Sequence, residues 1–275
     1  MRQLNLCNPF NAPIYHEETV GSTMDVSKLL ALEGGGTPHG TVICADFQEA
    51  GKGRIPGRVW NTDKLDGLMF TVLLRFPRIG DIPRALTLRT GLATALAIED
   101  FSPSLRDRVK VKWPNDIMLP VPAACGVDAQ TFRKAVGILT EVEGGNVYIG
   151  IGVNVAQREF PVNLRDKAIS VAIASGAEIE NGRRFALLEK ILARLHDELE
   201  TVGDTWRERI EARLYMKGEK TGFAEGPADS AQAFVGTIAG IGPRGELLIV
   251  RDGETEAHTF VSGELWTGGA SSTNH

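Results

Sequence analysis

Val109-Lys110-Val111-Lys112-Trp113-Pro114-Asn115-Asp116 is the stretch on which the reading of this chain turns. The valines read as a buried strand. Proline fixes its own φ and holds the residue before it extended. The strand is therefore expected to break at Pro114, with Asn115 and Asp116 at its end, where loop residues on a rigid scaffold carry chemistry. A lysine and an aspartate held there suit a nucleotide, ammonium on phosphate and carboxylate on Mg²⁺. An ordinary turn with Trp113 in the core fits the same residues.

A second run narrows the choice. Gly51-Lys52-Gly53-Arg54-Ile55-Pro56-Gly57-Arg58-Val59-Trp60 combines three glycines, three cations and a tryptophan. Glycines let backbone N–H groups face an anion at close range. Lys52, Arg54 and Arg58 add charge-assisted bonds to phosphate, and Trp60 offers a flat apolar face. The run is neither a P-loop nor a dinucleotide fingerprint.

Bulk properties exclude other classes. A net charge of −5 gives wholesale nucleic-acid binding no electrostatic support. The three cysteines, Cys7, Cys44 and Cys125, have no zinc spacing, and an odd count fits a reducing compartment. No apolar run approaches membrane-spanning length and no signal peptide is evident. The expectation is a cytoplasmic protein without membrane or nucleic-acid partners. The five histidines form no constellation.

Along the chain, strands are expected at 14–17, 41–46, 67–76 and 109–113, with a hairpin of 134–143 and 146–155 around Gly144-Gly145. Helices are expected from Ser22 or Thr23 to about Glu33, with Val26, Leu29 and Leu30 on one face, ended by Gly34-Gly35-Gly36. Others are expected over 82–101, 183–201 and 204–214. Strands and helices mix without strict alternation, so the fold class is α+β, a mixed sheet with helices packed on one side. The 117–133 stretch, with Pro120, Pro122 and Gly126, reads as an exposed insertion. From about 217 to 267 recurrent glycines separate short β-rich runs. The division is thus 1–214, 215–267 and a disordered tail at 268–275.

Together the two signature runs resemble the biotin protein ligase family, whose marks are a GRGRxGRxW loop and a later KWPND. Gly21-Ser22-Thr23-Met24-Asp25, Asp46-Phe47-Gln48-Glu49-Ala50, Lys134 to Glu141 (its K-x-x-G-I-L-x-E strand) and Gly150 to Val155 (its G-x-G-x-N-V strand) agree in order and spacing. Gly236 to Leu265 resembles the family's small SH3-like barrel. The likeness covers about residues 15 to 266. It implies a catalytic sheet related to class II aminoacyl-tRNA synthetases. It also implies a two-step reaction: biotin and ATP give biotinyl-5'-AMP, and the biotinyl group then passes to a lysine of a biotin carboxyl carrier domain. The family often dimerises through this sheet, which leaves a homodimer open. Repressor relatives carry an N-terminal DNA-binding domain, for which the chain shows no room before the motif.

Roles carry over residue by residue. The resemblance places Lys134, Arg54, Lys112 and Asp116 in catalysis. Ser22, Thr23, Gln48, Gly51, Lys52, Gly137 and Gly152 fall at biotin, and Arg54, Arg58, Trp60, Lys112, Asn115 and Lys134 at ATP or the adenylate. Asp116 would help hold Mg²⁺. Two departures stand out: Lys52 replaces the usual arginine, and an extra residue at Ile55-Pro56 leaves the register of Arg54 against Arg58 open. A relative acting on lipoate or octanoate, and a non-catalytic acid-binding protein, are the competing readings.

Overall fold

The computed structural model describes residues 1–32, 36–55, 57–60, 64–126, 131–201, 203, 205–225 and 233–266. Gly34, Gly35, Pro56, Asp204 and the 268–275 tail, each part of an expectation above, lie outside the described residues.

The first part of the chain runs β1 (Arg2–Leu4), β2 (Ile14–Val20), α1 (Thr23–Leu32), β3 (Thr41–Gln48), β4 (Gly67–Arg75), α2 (Leu86–Phe101), β5 (Lys110–Lys112), β6 (Asp116–Pro120), β7 (Phe132–Glu143) and β8 (Asn146–Asn154). Then come α3 (Val171–Ser175), α4 (Arg184–Glu200), α5 (Thr205–Glu211), β9 (Lys220–Ala224), β10 (Ala233–Ile241), β11 (Leu247–Arg251), β12 (Ala257–Phe260) and β13 (Glu264–Trp266). The first eight strands form one mixed sheet in the order β1-β2-β3-β4-β8-β7-β6-β5, with β2 and β3 parallel. The last five form a smaller antiparallel sheet.

Side chains alternate across a strand, and here the alternation divides the labour of the large sheet. Leu68, Phe70, Val72 and Leu74 of β4, with Val147, Ile149, Ile151 and Val153 of β8, join one core with Leu92 and Ile98 of α2 and Leu188 and Ile191 of α4. Burying Leu92 alone contributes about 2 kcal/mol. A buried cluster ties the same face to α4: His16 Nε2 lies 2.7 Å from Asp46 Oδ1, which also accepts from Arg184.

The opposite face carries Thr71 of β4, Gly137 and Leu139 of β7, and Gly150 and Gly152 of β8. Only α1 crosses it among the long elements. Its inward residues are Thr23, Met24 and Ser27, whereas Leu29 is exposed. This corrects the expected Val26-Leu29-Leu30 face: the helix meets the sheet through Thr23 and Ser27 and through Met24, which packs on Leu73 and Tyr148.

Three further expectations meet the structure here. The strand does end before Pro114, at Lys112, and the chain turns straight back, so that β5 and β6 pair with Lys112 opposite Asp116. The expected insertion begins as β6, with Ile117 and Leu119 buried and Val121 buried just after it, and is exposed at Ala123, Cys125 and Gly126. The alternation of Ile117 and Leu119 with Met118 and Pro120 carries the strand. The second helix starts at Leu86 and not Ile82, after Ala85 in a left-handed conformation.

Candidate active site

The floor of the site is the glycine-bearing face of β7 and β8. A Cβ on Gly152 would lie 2.5 Å from Trp60 Cε2, and one on Gly137 would lie 2.9 Å from Trp60 Cζ3. Glycine is required at both because the indole lies against the strands. At one end stands the α1 N-terminus. Gln48 Oε1 accepts from the Thr23 backbone N–H at 2.8 Å and from Thr23 Oγ1 at 3.0 Å, and Thr71 Oγ1 sits 2.9 Å from the same hydroxyl. Ser22, Thr23, Gln48, Trp60, Gly137 and Gly152 line this narrow slot of about 70 Å³, with Lys52, Arg54, Asn115 and Lys134 at its mouth.

The glycine run folds as a hairpin. Lys52 bridges Val59, Gly53 N–H donates to Arg58 O at 2.9 Å, and Trp60 N–H donates to Gly51 O at 3.1 Å. Gly51 is a closure point, not a lining residue. Each cation of the loop meets an acceptor elsewhere in the chain. Lys52 pairs with Asp25, Arg54 donates to Gly263 O at 3.0 Å, and Arg58 forks onto Glu264 at 2.6 and 3.1 Å. The register left open by the extra residue is thus defined: Arg54 and Arg58 converge on adjacent residues of the small sheet.

Lys134, the third residue of β7, lies opposite Met118. Its ammonium lies 2.7 Å from Asp116 Oδ1 and 5.5 Å from the Trp60 ring centroid. Lys112, paired in register with Asp116, faces the same space, where burial lowers its pKa below the usual lysine value and Asp116 works against that shift. The Asn115 side chain donates to Ile138 O at 2.7 Å, and Ile138 N–H donates to Asn115 O, so this amide braces the turn. Trp113 is buried and donates to Gly245 O, tying the turn to the small sheet.

Beyond the slot a second cavity of about 390 Å³ is lined by Arg54, Arg58, Trp60, Lys112, Asn115, Asp116, Lys134 and Glu264. A third, about 320 Å³, shares Arg58, Lys112, Asp116 and Lys134 with it and adds Met118, Phe132, Lys167 and Tyr215. Phe132 and Tyr215 meet edge to face, with centroids 5.8 Å apart. Lys134 lines all three spaces. Thirteen of the fourteen residues singled out from sequence line them, Gly51 being the exception. Sequence reasoning missed Thr71, Gly150, Phe132, Tyr215 and Glu264. Gly150, two residues before Gly152 on the same strand face, was open to detection; the others carried no local signal.

Residues 18–155 match the model of the biotin/lipoate A/B protein ligase family. The chain belongs to this family. It is 34% identical over 187 residues to the bifunctional ligase/repressor BirA of Bacillus subtilis, an alignment covering 65% of this chain and 51% of that protein. It is 30% identical over 191 residues to the biotin–[acetyl-CoA-carboxylase] ligase of Mycobacterium tuberculosis, covering 68% of this chain and 62% of the relative. The chain thus spans about half the length of the Bacillus relative. Among solved structures, the biotin protein ligase of Aquifex aeolicus in complex with biotin and ATP superposes with a TM-score of 0.72 at 25% identity, over 92% of this chain and 97% of that one. The fold class is that of this family: a mixed sheet with helices and a small C-terminal antiparallel sheet. Among the described residues no helix is long and apolar enough to cross a membrane.

Proposed function

We propose that the protein activates biotin with ATP to biotinyl-5'-AMP and transfers the biotinyl group to a lysine of a carrier domain. One observation carries this reading: the glycine-floored slot, with its polar end at Thr23 and Gln48, opens at Lys134 into a cationic groove. That layout suits an acid whose polar head is gripped at one end and whose carboxylate emerges among phosphates.

In the first step a biotin carboxylate oxygen attacks the α-phosphorus, a P–O bond breaks and pyrophosphate leaves. Two anions must be brought together, so donors aimed at the developing charge supply most of the rate. Lys134 takes that position because it reaches both spaces, with Lys112, Arg54 and Arg58 along the groove. Phe132, Tyr215 and Met118 offer the apolar, aromatic surface a purine base stacks on, and Trp60 walls the slot. In the second step an uncharged lysine amine of the acceptor attacks the acyl carbonyl, AMP leaves, and the nitrogen loses a proton. The carrier domain is the partner this step requires.

For Mg²⁺ the chain offers Asp116. Among the described residues no three His, Cys, Asp or Glu side chains cluster to hold a metal. That suits an ion carried on the nucleotide's phosphates with one protein carboxylate, and the ion would neutralise phosphate charge there.

The test is biotin-dependent ATP–pyrophosphate exchange, with lipoate and octanoate run in parallel. Exchange with biotin alone supports the proposal. Exchange with another acid only moves the specificity, and none with any acid in folded, Mg²⁺-supplied protein overturns it.

A further inference from the structure

We infer that a basic cavity behind Lys134 binds a small, multiply charged anion, a phosphate or a polycarboxylate. The cavity is about 310 Å³ and three arginines, Arg133, Arg158 and Arg165, line it against one acid, Glu159. Their existing partners are weak. Arg133 donates to Asp166 at 3.2 Å, but that carboxylate is 87% exposed and screened by water. Arg133 Nε is buried and makes no hydrogen bond. Arg158 spends one N–H on Ala177 O at 3.3 Å, and Arg165 makes no side-chain hydrogen bond or ion pair with the described residues. Three guanidinium groups line one cavity with donors to spare, and the planar fork of arginine matches phosphate and carboxylate oxygens.

The place of the cavity gives such an anion a consequence. Arg165 and Ala168 line it, while Asp166 and Lys167, between them, line the groove that carries Lys112, Asp116 and Lys134. The same segment is stitched to β7 at Lys134, whose N–H donates to Lys167 O at 2.9 Å and whose carbonyl accepts from Ile169 N–H at 3.0 Å. An anion gripped by Arg133, Arg158 and Arg165 therefore holds residues 158–168 from behind while their other side faces the groove. That consequence rests on the proposed function; the binding itself does not.

Cysteine chemistry provides the test. Cys125 is exposed and lines the cavity, Cys7 is exposed elsewhere, and Cys44 is buried. Alkylation by iodoacetamide, read site by site by peptide mass, is compared in phosphate, in citrate and in chloride of equal ionic strength. About 1 mM of the preferred anion is expected to slow Cys125 about fivefold and leave Cys7 unchanged. Protection by phosphate alone or by citrate alone identifies the source. The Arg158→Ala, Arg165→Ala double variant should lose the protection while keeping the chloride rate. If that variant does not fold, Arg165→Gln on the exposed loop carries the same test. Equal slowing of Cys7 and Cys125, protection by neither anion, or protection that survives the substitutions overturns the assignment. No ligase activity enters the readout, so failure here is distinct from failure of the biotin reading.

Discussion

Replacing Gly152 by alanine tests the slot directly. The added methyl would stand 2.5 Å from Trp60 Cε2 and 2.6 Å from Nε1, so the indole must retreat by about 1 Å to reach ordinary contact. Trp60 sits at the end of a surface hairpin, held by one backbone bond to Gly51, so it can retreat without moving β8. If the shift uncovers about 70 Å² of the indole, the loss is about 2 kcal/mol at 25 cal/mol/Å², within the range of about 1–3 kcal/mol for an overpacked site. A ligand in the slot meets the same methyl without the freedom to move aside. Its affinity should fall about a hundredfold, about 2.8 kcal/mol. Gly91→Ala in α2 is the control, since Gly91 lines none of the three spaces and its methyl would meet Ile117 and Val111 at an ordinary 3.5 Å. Titration calorimetry with biotin, alongside urea unfolding, decides. A folded Gly152→Ala protein that binds biotin within twofold of the parent, or a Gly91→Ala protein equally crippled, would refute the placement of the ligand on this floor.

Other consequences follow from the same geometry. Lys134→Ala should abolish biotin-dependent pyrophosphate exchange and leave the circular dichroism intact; exchange at near-parental rate would remove Lys134 from its central role. Glu264→Gln releases the Arg58 fork, and because Arg58 is 61% exposed the pair contributes only about 0.2–1 kcal/mol. The melting temperature should therefore barely move while amide exchange across 51–60 quickens, and unchanged exchange would show that the clamp does not order the loop. Burial lowers the Lys112 pKa, so nucleotide affinity should weaken as pH rises through that lowered value, and binding should draw a proton back in the same window. For stability the sign is reversed: the charged lysine costs the fold below its folded pKa, and the cost is relieved as pH rises toward the unfolded value of about 10.4. Affinity that stays flat as pH rises toward the ordinary lysine value at constant ionic strength would count against a phosphate contact by Lys112.

What could be read before the structure was whatever is written locally along the chain. Gly144-Gly145 between two β-rich runs marked the central hairpin, and the resemblance of the ordered motifs to the family picked out the residues of which thirteen line adjoining cavities. What could not be read were contacts between distant segments. Arg58 and Glu264 lie 206 residues apart, and nothing local in either marks the pairing. Tyr215 meets Phe132 only because Val111, in β5, accepts from Tyr215 N–H and so holds the start of the C-terminal part against the sheet. Strand β6 was hidden for a different reason. Pro114 and Asn115 carry the composition of a stop, yet Asn115 bonds both ways with Ile138, which converts the stop into a turn between paired strands.

The charges of the site follow one rule that bears on how it works. Lys134 meets Asp116, Lys52 meets Asp25, and Arg58 meets Glu264. Three cations proposed for the site are therefore already matched to carboxylates of the chain. Binding a nucleotide is then an exchange of partners and not the capture of an anion by bare charge. Because the pairs are partly exposed, each exchange costs about 1 kcal/mol or less, which a triphosphate can offset with charge-assisted bonds of about 1.5–3 kcal/mol apiece. A single monovalent anion, able to displace only one carboxylate, gains little by the exchange. The arrangement thus favours ligands that present several phosphate oxygens at once. On the proposed function, Asp116, once released from Lys134, would share that space with those oxygens and could serve a divalent cation carried on them.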